Sequence, residues 1–524
     1  MSGALDTVDL IVIAAYLVGV VGLGLWQGRK VKTAADFFLA GKTLPFWAVG
    51  MSIVVSDIGA TDFIAVAGGT YRYGLAQANF DWLGSMPALL ICAFLFVPFY
   101  WRSGVLTIPE FLGRRYGGAV RTFLAVCWGF ILLFNLGIMI HATAVLLRGV
   151  LGWEPALSIW VTAVVVGLYT ISGGLTAVVM TDVLQLVIMF LGGGVLVFTA
   201  LQRVGGWSAM KEAILAQGPA YSDHFSLYLP HDSPTPFPWS GVVLGLGIVL
   251  STAYYSGNQS VAQRALGARS EWDAKAGVLL AGGLKLFIPL LVALPGLAAI
   301  LLVPGLENGD DAVPSLIGIL LPAGLRGLMF AAFLAALMSS VDSNLNSATT
   351  LWTHDIVGRL LAACKRPIPE RFVLRVGRTT SFLLLVFGAL LAPEIEERFT
   401  NIYNAIQSVF SLIQGPTLAI LLLGLLWPRA NRHGALAGLL VGVGFCVLLN
   451  TEAMAGLFPS EEPFLFIAWW SFVLSLTVTA IVSWLTPPEP AEKLLGLTWG
   501  SVAGDPRAQA ALEARARRAE EDEE

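Results

Sequence analysis

Long apolar segments recur along almost the whole chain, and most are long enough to cross a bilayer as a helix. Hydrophobic residues make up 56% and charged residues 13% of the sequence, whereas soluble domains carry about 25% charged residues. The pattern indicates an integral membrane protein. We predict thirteen membrane spans, at residues 7–27, 44–73, 80–101, 118–150, 155–172, 174–203, 239–262, 270–302, 325–361, 370–392, 395–427, 433–452 and 462–486.

The basic residues of the predicted loops are divided unevenly between the two sides of the membrane. One side carries 24 of the 31 Lys and Arg residues, Arg264 among them. Because loops rich in Lys and Arg stay in the cytoplasm, we expect the amino terminus outside and the carboxyl terminus inside. An odd number of spans agrees with this orientation.

The ninth predicted span carries an ionisable carboxylate at mid-depth, in the stretch from Ala335 to Ser347. An acidic residue at the centre of a spanning helix costs roughly 2.5 to 3.5 kcal/mol. We therefore expect Asp342 to face protein, water or an ion. In a helix, Ser339, Asp342 and Ser343 share one face, and hard cations such as sodium prefer oxygen ligands. The alternative is close interhelical packing through small residues and serines.

The second predicted span is interrupted. Asp57, Gly59 and Asp62 lie at mid-depth in a segment that is otherwise apolar. Two carboxylates beside a glycine predict an unwound segment whose free carbonyls and side chains line a cavity, as in the broken helices where transporters bind ions and substrate. A simple kink with internally bonded polar groups is the alternative.

Further polar and aromatic residues lie within or close to other spans and favour a polar interior site. They are Asp81, Asp182, Ser251, Tyr254, Tyr255, Asn258, Gln259, Lys285 and Gln407. A pair between Lys285 and a carboxylate that only holds helices together is the alternative. The chain has no GxSxG motif with partners, no phosphate-binding loop and no HExxH motif, so hydrolase and nucleotide-binding functions lack support.

Three segments resemble those of the sodium/solute symporters, over a region from about residue 7 to residue 486. They are Ala336-Leu-Met-Ser-Ser followed by Leu345-Asn-Ser-Ala-Thr-Thr, Gly173-Gly-Leu-Thr-Ala-Val-Val-Met-Thr-Asp, and Gln259-Ser-Val-Ala-Gln-Arg-Ala-Leu. The resemblance implies an all-α membrane fold of the leucine-transporter type, in which five helices are repeated in inverted orientation. The broken second span then has its counterpart in the seventh.

On this resemblance we expect six regions. An extra amino-terminal helix and cytoplasmic loop occupy residues 1–43, the first repeat 44–203, an external loop 204–238 and the second repeat 239–427. Two carboxyl-terminal helices occupy 428–486, and a cytoplasmic tail 487–524.

The resemblance also implies ion sites. The family's principal sodium site corresponds to the backbone carbonyls of Val55, Ile58 and Ala336 and the hydroxyls of Ser339 and Ser340. A second sodium site, present in some members, corresponds to Asp182, Ser339, Asp342 and Ser343. Asp342 stands where two-sodium members have a hydroxyl, so a proton or a salt-bridged carboxylate is the alternative there. We expect one or two sodium ions.

Within the family, the sugar-transporting branch is the most similar. Its sugar-binding Lys and Gln correspond to Lys285 and Gln407, its inner-gate aromatic to Tyr254, and its sugar-binding Glu to Asp81. The complete set of expected solute-binding residues is Asp57, Asp62, Asp81, Ser251, Tyr254, Tyr255, Asn258, Lys285 and Gln407.

The expected function is secondary active transport, in which inward sodium movement drives uptake of a sugar or polyol by alternating access. We expect a protein without enzymatic activity in a bacterial-type inner (plasma) membrane, acting as a monomer without a nucleic-acid partner. Sodium- or proton-coupled symport of an amino acid, sialic acid or carboxylate is the main alternative. A membrane solute sensor and a membrane-embedded enzyme acting on a lipid-linked substrate are the others.

Overall fold

The computed structural model describes residues 5–363, 369–398, 402–451, 454, 456–458, 460 and 463–501, and its regular elements are helices throughout this part of the chain. The helices are α1 (Thr7–Gly28), α2 (Ala34–Leu39), α3 (Phe46–Asp57), α4 (Ala60–Tyr73), α5 (Phe80–Ser103), α6 (Ile108–Tyr116), α7 (Gly118–Leu151), α8 (Pro155–Val204), α9 (Trp207–Leu215), α10 (Gly241–Gly257), α11 (Gln259–Leu266), α12 (Glu271–Leu302), α13 (Ala312–Leu320), α14 (Leu325–Leu361), α15 (Glu370–Arg398), α16 (Ile402–Leu426), α17 (Arg432–Leu449) and α18 (Phe464–Leu485).

Nine of the described helices are long and apolar enough to cross a membrane, or ten if the bent pair α3 and α4 is one span. The apolar parts of α10 and α16 are shorter. The predicted spans at 155–172 and 174–203 lie in one helical run, α8, which is broken at Gly174 with φ 51° and ψ −145°. The multi-pass helical fold is therefore confirmed, and thirteen spans remain a prediction.

The predicted interruption of the second span is confirmed. Helix α3 ends at Asp57, Ile58 is extended with φ −105° and ψ 104°, and α4 begins at Ala60 with a bend of 60°. The N–H of Gly59 donates to Oδ2 of Asp62 over 2.6 Å, which closes the first turn of α4. The chain thus crosses this depth with two short helices and a non-helical joint.

The seventh predicted span has the same construction. Helix α10 ends at Gly257, Asn258 is extended with φ −80° and ψ 125°, and α11 begins at Gln259. Oδ1 of Asn258 accepts the N–H of Ser260 over 3.0 Å and caps α11. The two broken spans are those that a leucine-transporter-type fold pairs through its inverted repeat.

Helix α14 lies at the centre of the helix bundle. In its most apolar 18-residue window, 94% of the residues are buried, compared with 28% for α1, which faces outward. The buried residues of α14 include the whole stretch from Ala335 to Ser347. The polar groups of α14 therefore face protein and not lipid, as the cost of a polar group in hydrocarbon requires.

Candidate functional site

The middle of α14 contacts the broken end of α3 through a serine. Oγ of Ser339 donates to the carbonyl of Val55 over 2.9 Å and to the carbonyl of Ala336 over 2.8 Å. In an unbroken helix the carbonyl of Val55 would accept the N–H of Gly59. That N–H instead donates to Asp62, so the break leaves the Val55 carbonyl for Ser339.

Most of the predicted principal sodium ligands are therefore neighbours. Oγ of Ser340 donates to the carbonyl of Ala336 over 3.1 Å, beside the Ser339 contacts. Ile58 is buried at the break, in the extended residue that follows α3. Carbonyl and hydroxyl oxygens in a buried pocket are the donors that a hard cation prefers, so the residues fit sodium.

A cavity of about 180 Å³ adjoins this contact. Seven of the nine predicted solute-binding residues line it, namely Asp57, Asp62, Asp81, Ser251, Tyr254, Tyr255 and Lys285. Ser340 also lines the cavity. Ser340, a candidate ion ligand, thus also forms part of the wall of the candidate solute cavity.

Lys285 joins two of the cavity carboxylates. Its ammonium group forms ion pairs with Asp57 and with Oδ1 of Asp81, the latter over 2.8 Å. The hydroxyl of Tyr255 donates to Oδ2 of Asp57 over 2.7 Å. With Asp62, the described residues of the cavity wall include three carboxylates and one ammonium group, so acidic groups outnumber basic ones in this part of the wall.

Two predicted solute ligands differ from the other seven. Asn258 is buried, caps α11 and is not among the residues that line the cavity. Helix α16 contains Gln407, but the Gln407 side chain lies outside the described part of the structure. Gln414, two helical turns further along α16, lines the cavity.

The sequence analysis missed three amides that line the cavity: Asn135, Asn344 and Gln414. Nδ2 of Asn135 donates to Oδ1 of Asn344 over 2.9 Å, so the pair connects α7 with α14. Asn344 follows Ser340 by one turn and donates to its carbonyl over 2.7 Å. A signal was present, because Asn344 belongs to the polar stretch that singled out α14.

The predicted second ion site contains a guanidinium group. Arg264 is 1% exposed, and its Nη2 lies 3.1 Å from Oδ2 of Asp182 and 2.6 Å from Oγ of Ser343. Nη2 also donates to Oγ of Ser56, and Nε donates to Oγ of Ser52, each over 2.5 Å. The guanidinium group of Arg264 therefore contacts side chains of α3, α8 and α14.

The expectation that Arg264 belongs to a cytoplasmic loop is wrong. Helix α11 continues to Leu266 and is buried throughout, so Arg264 is an interior ion-pair partner. Leaving it out of the loop charges does not change which side of the membrane carries the basic excess.

Asp342 is fully buried, and among the described residues its partners are neutral. Oδ2 accepts a hydrogen bond from the hydroxyl of Tyr169 over 2.7 Å, and Oδ1 accepts one from the hydroxyl of Ser343 over 3.2 Å. Ser339, from the same predicted site, faces Val55 instead.

The sequence profile of the sodium:solute symporter family matches residues 37–442. The sodium/glucose cotransporter of Vibrio parahaemolyticus is 33% identical over 509 residues, which cover 91% of this chain and 90% of that protein. The sodium/mannose cotransporter of Bos taurus is 34% identical over 547 residues, covering 96% of this chain and 90% of that protein. The sodium/myo-inositol cotransporter 2 of Mus musculus is 32% identical over 541 residues, covering 95% and 79%.

Solved structures share the fold. A substrate-bound outward-open Na⁺-coupled sialic acid symporter superposes with a TM-score of 0.81 at 22% identity, covering 92% of this chain and 99% of that chain. Mhp1, a nucleobase-cation-symport-1 family transporter, superposes with a TM-score of 0.56 at 14% identity, covering 88% and 97%. The extent of the sequence match and the two broken spans agree: this chain belongs to the sodium:solute symporter family and is a sodium-coupled membrane transporter.

Proposed function

We propose that the transported solute is a neutral, hydroxyl-rich molecule, a sugar or polyol. The observation that carries the proposal is the position of Lys285 in the cavity wall, between Asp57 and Asp81. Two carboxylates already offset its charge. Among the described residues of the wall, an anionic solute would meet three carboxylates and no ammonium group that is free of a carboxylate partner. That is electrostatically unfavourable in a desolvated cavity.

Hydroxyl groups suit the same wall. Asp81 and the amide oxygen of Gln414 accept from hydroxyls, while Lys285 and the amide nitrogen of Gln414 donate to them. Tyr254 lines the cavity and presents an aromatic ring for an apolar sugar face. The relatives named for glucose, mannose and myo-inositol transport agree with this solute class.

We propose that the principal sodium ion binds at the carbonyls of Val55, Ile58 and Ala336 and the hydroxyls of Ser339 and Ser340. An ion there would tie α14 to the broken second span and complete the cavity for solute. Because coupling is reciprocal, solute tightens sodium by the factor by which sodium tightens solute. Rocking of the bundle then exposes both to the cytoplasm. One sodium crossing about 100 mV supplies roughly 2.3 kcal/mol, or about fifty-fold accumulation of solute.

We propose a second cation at the cluster of Asp182, Asp342 and Ser343. Arg264 pairs with Asp182, whereas Asp342 has only neutral hydrogen-bond partners among the described residues. A buried carboxylate without a countercharge is costly. Oδ1 of Asp182 is buried and lacks a hydrogen-bond partner within the described structure. Ser339 is left out of this set because it serves the principal site.

The orientation, with the amino terminus outside and the tail at 487–524 in the cytoplasm, is also a proposal and rests on the loop charges. We also propose the six-region division and action as a monomer. A cysteine introduced near either terminus and labelled from one side of intact cells tests the orientation.

The solute class is tested by uptake into proteoliposomes of labelled sugars, polyols, amino acids and sialic acid. Inward gradients of sodium, of protons and of neither are compared. We expect uptake of a sugar or polyol that requires the sodium gradient. Uptake of only an amino or carboxylic acid, or uptake driven by protons alone, contradicts the proposal.

The second cation is tested by the ratio of sodium to solute moved, from reversal potentials in the same vesicles. We expect two for the native chain and one for Asp342→Asn. A ratio of one for the native chain contradicts the second site and leaves the principal site intact.

A further inference from the structure

A second cavity opens on the outer surface of the helix bundle and shares no lining residue with the solute cavity. It is a groove between α1, the first half of α8, and α15, with a volume of about 670 Å³. Apolar side chains line most of it: Leu25, Trp160, Val164, Leu168, Phe382 and Leu385. Trp160 and Phe382 are 43% and 55% exposed, so this wall faces the hydrocarbon of the bilayer.

The length of the groove along α8 is close to the thickness of one leaflet. Trp160 and Ser172 line it twelve residues apart on α8, which corresponds to about 18 Å along a helix. The hydrocarbon half-thickness of a bilayer is about 15 Å. A lipid acyl chain that runs parallel to α8 therefore matches the depth of the groove.

Two arginines lie at the end of the groove that contains Ser172, opposite Trp160. Arg29 is the residue directly after α1, and Arg378 comes from α15. Nη2 of Arg378 donates to the carbonyl of Ser172 over 3.1 Å, and its buried Nε has no hydrogen-bond partner in the described structure. Neither arginine has a carboxylate partner among the described residues. The described part of the structure thus places no carboxylate against this cationic end.

The loop charges assign this end to the cytoplasmic side. We propose that the groove binds an anionic phospholipid of the cytoplasmic leaflet, its phosphate at Arg29 and Arg378 and one acyl chain along Trp160 and Phe382. Arginines bind phosphate oxygens with paired hydrogen bonds. A zwitterionic lipid would add a cation beside two arginines, so a net anionic headgroup is preferred.

The test uses the full chain, purified in detergent and mixed with phosphatidylglycerol or phosphatidylcholine, with bound lipid counted by native mass spectrometry. The variant is Arg29→Gln with Arg378→Gln. The control is Arg371→Gln with Arg375→Gln, which removes two exposed charges from the same helix α15. At about 1 kcal/mol per arginine, the first pair should lose about 25-fold in affinity for phosphatidylglycerol.

A second readout locates the lipid. Phosphatidylglycerol with brominated acyl chains should quench tryptophan fluorescence in the native chain, and Trp160→Phe should remove part of that quenching. Equal binding of the two lipids by the native chain, or equal losses in the variant and the control, would overturn the proposal. So would quenching that Trp160→Phe leaves unchanged.

Discussion

Arg264 and Asp182 form a buried ion pair of 3.1 Å that joins the second half of a broken span to the long helix α8. The pair has 1% and 0% exposed side chains, so water does not screen it. Ser52 and Ser56 of α3 and Ser343 of α14 also accept hydrogen bonds from the guanidinium group. One side chain thus fixes four helices relative to one another.

Removing this guanidinium should destabilise the fold. Arg264→Met leaves Asp182 as an unpaired buried charge, and breaking a buried pair costs about 3 to 5 kcal/mol. We expect a clear fall in the melting temperature of the purified protein. Arg264→Met with Asp182→Asn should recover part of the loss. Arg102→Met, which breaks an ion pair with a 41% exposed arginine, is the control and should change stability little.

Ser340→Ala should weaken sodium binding. It removes one proposed oxygen ligand from a buried site, and we expect sodium affinity to fall roughly 10- to 100-fold with the protein still folded and inserted. The measurement is the sodium concentration that gives half-maximal uptake. Ser347→Ala, on the same helix and outside the cavity, is the control. Normal sodium affinity in Ser340→Ala would contradict the proposal that Ser340 is a sodium ligand.

Lys285→Met should impair solute uptake about 10- to 150-fold, because a hydrogen bond from a charged group contributes about 1.5 to 3 kcal/mol. Lys275→Met removes a 32% exposed lysine from the same helix α12 and should leave uptake unchanged. The double variant Lys285→Met with Asp81→Asn separates charge balance from solute contact. If the double variant transports normally, Lys285 only balances the carboxylates and does not bind solute.

Gly174→Ala should destabilise the protein. Gly174 has φ 51°, a conformation that costs about 1 to 3 kcal/mol for other residues. An added Cβ would also collide with the carbonyl oxygen of Phe37. Gly194→Ala lies in the same helix with open space at the Cβ position, so it should be neutral or stabilising. The melting temperatures of the two variants should therefore move in opposite directions, or only that of Gly174→Ala should fall.

Local sequence patterns predicted the features that depend on a single segment. Gly59 between two carboxylates indicated the break after α3, and the buried Asp342 indicated that α14 faces protein. Both follow from the cost of polar groups in hydrocarbon, which a single span already reveals. The inverted-repeat fold followed only from the family resemblance.

Sequence patterns did not predict ion pairs between residues that are far apart in the chain. Asp182 and Arg264 are 82 residues apart, and no local pattern separates an interior arginine from one in a basic loop. Asn258 illustrates a different limit, because its side chain is used locally as a helix cap. An amide near a glycine fits a cap as well as a ligand, and only the backbone geometry decides between them.

The shared position of Ser340, between the oxygens of the proposed ion site and the solute cavity, limits how this transporter can be altered. A substitution that retunes ion selectivity there also reshapes the wall that the solute contacts. Ion preference and solute preference cannot then be engineered separately at this residue. Variants selected for use of lithium, for example, should show altered discrimination among sugars even though no other cavity residue has changed.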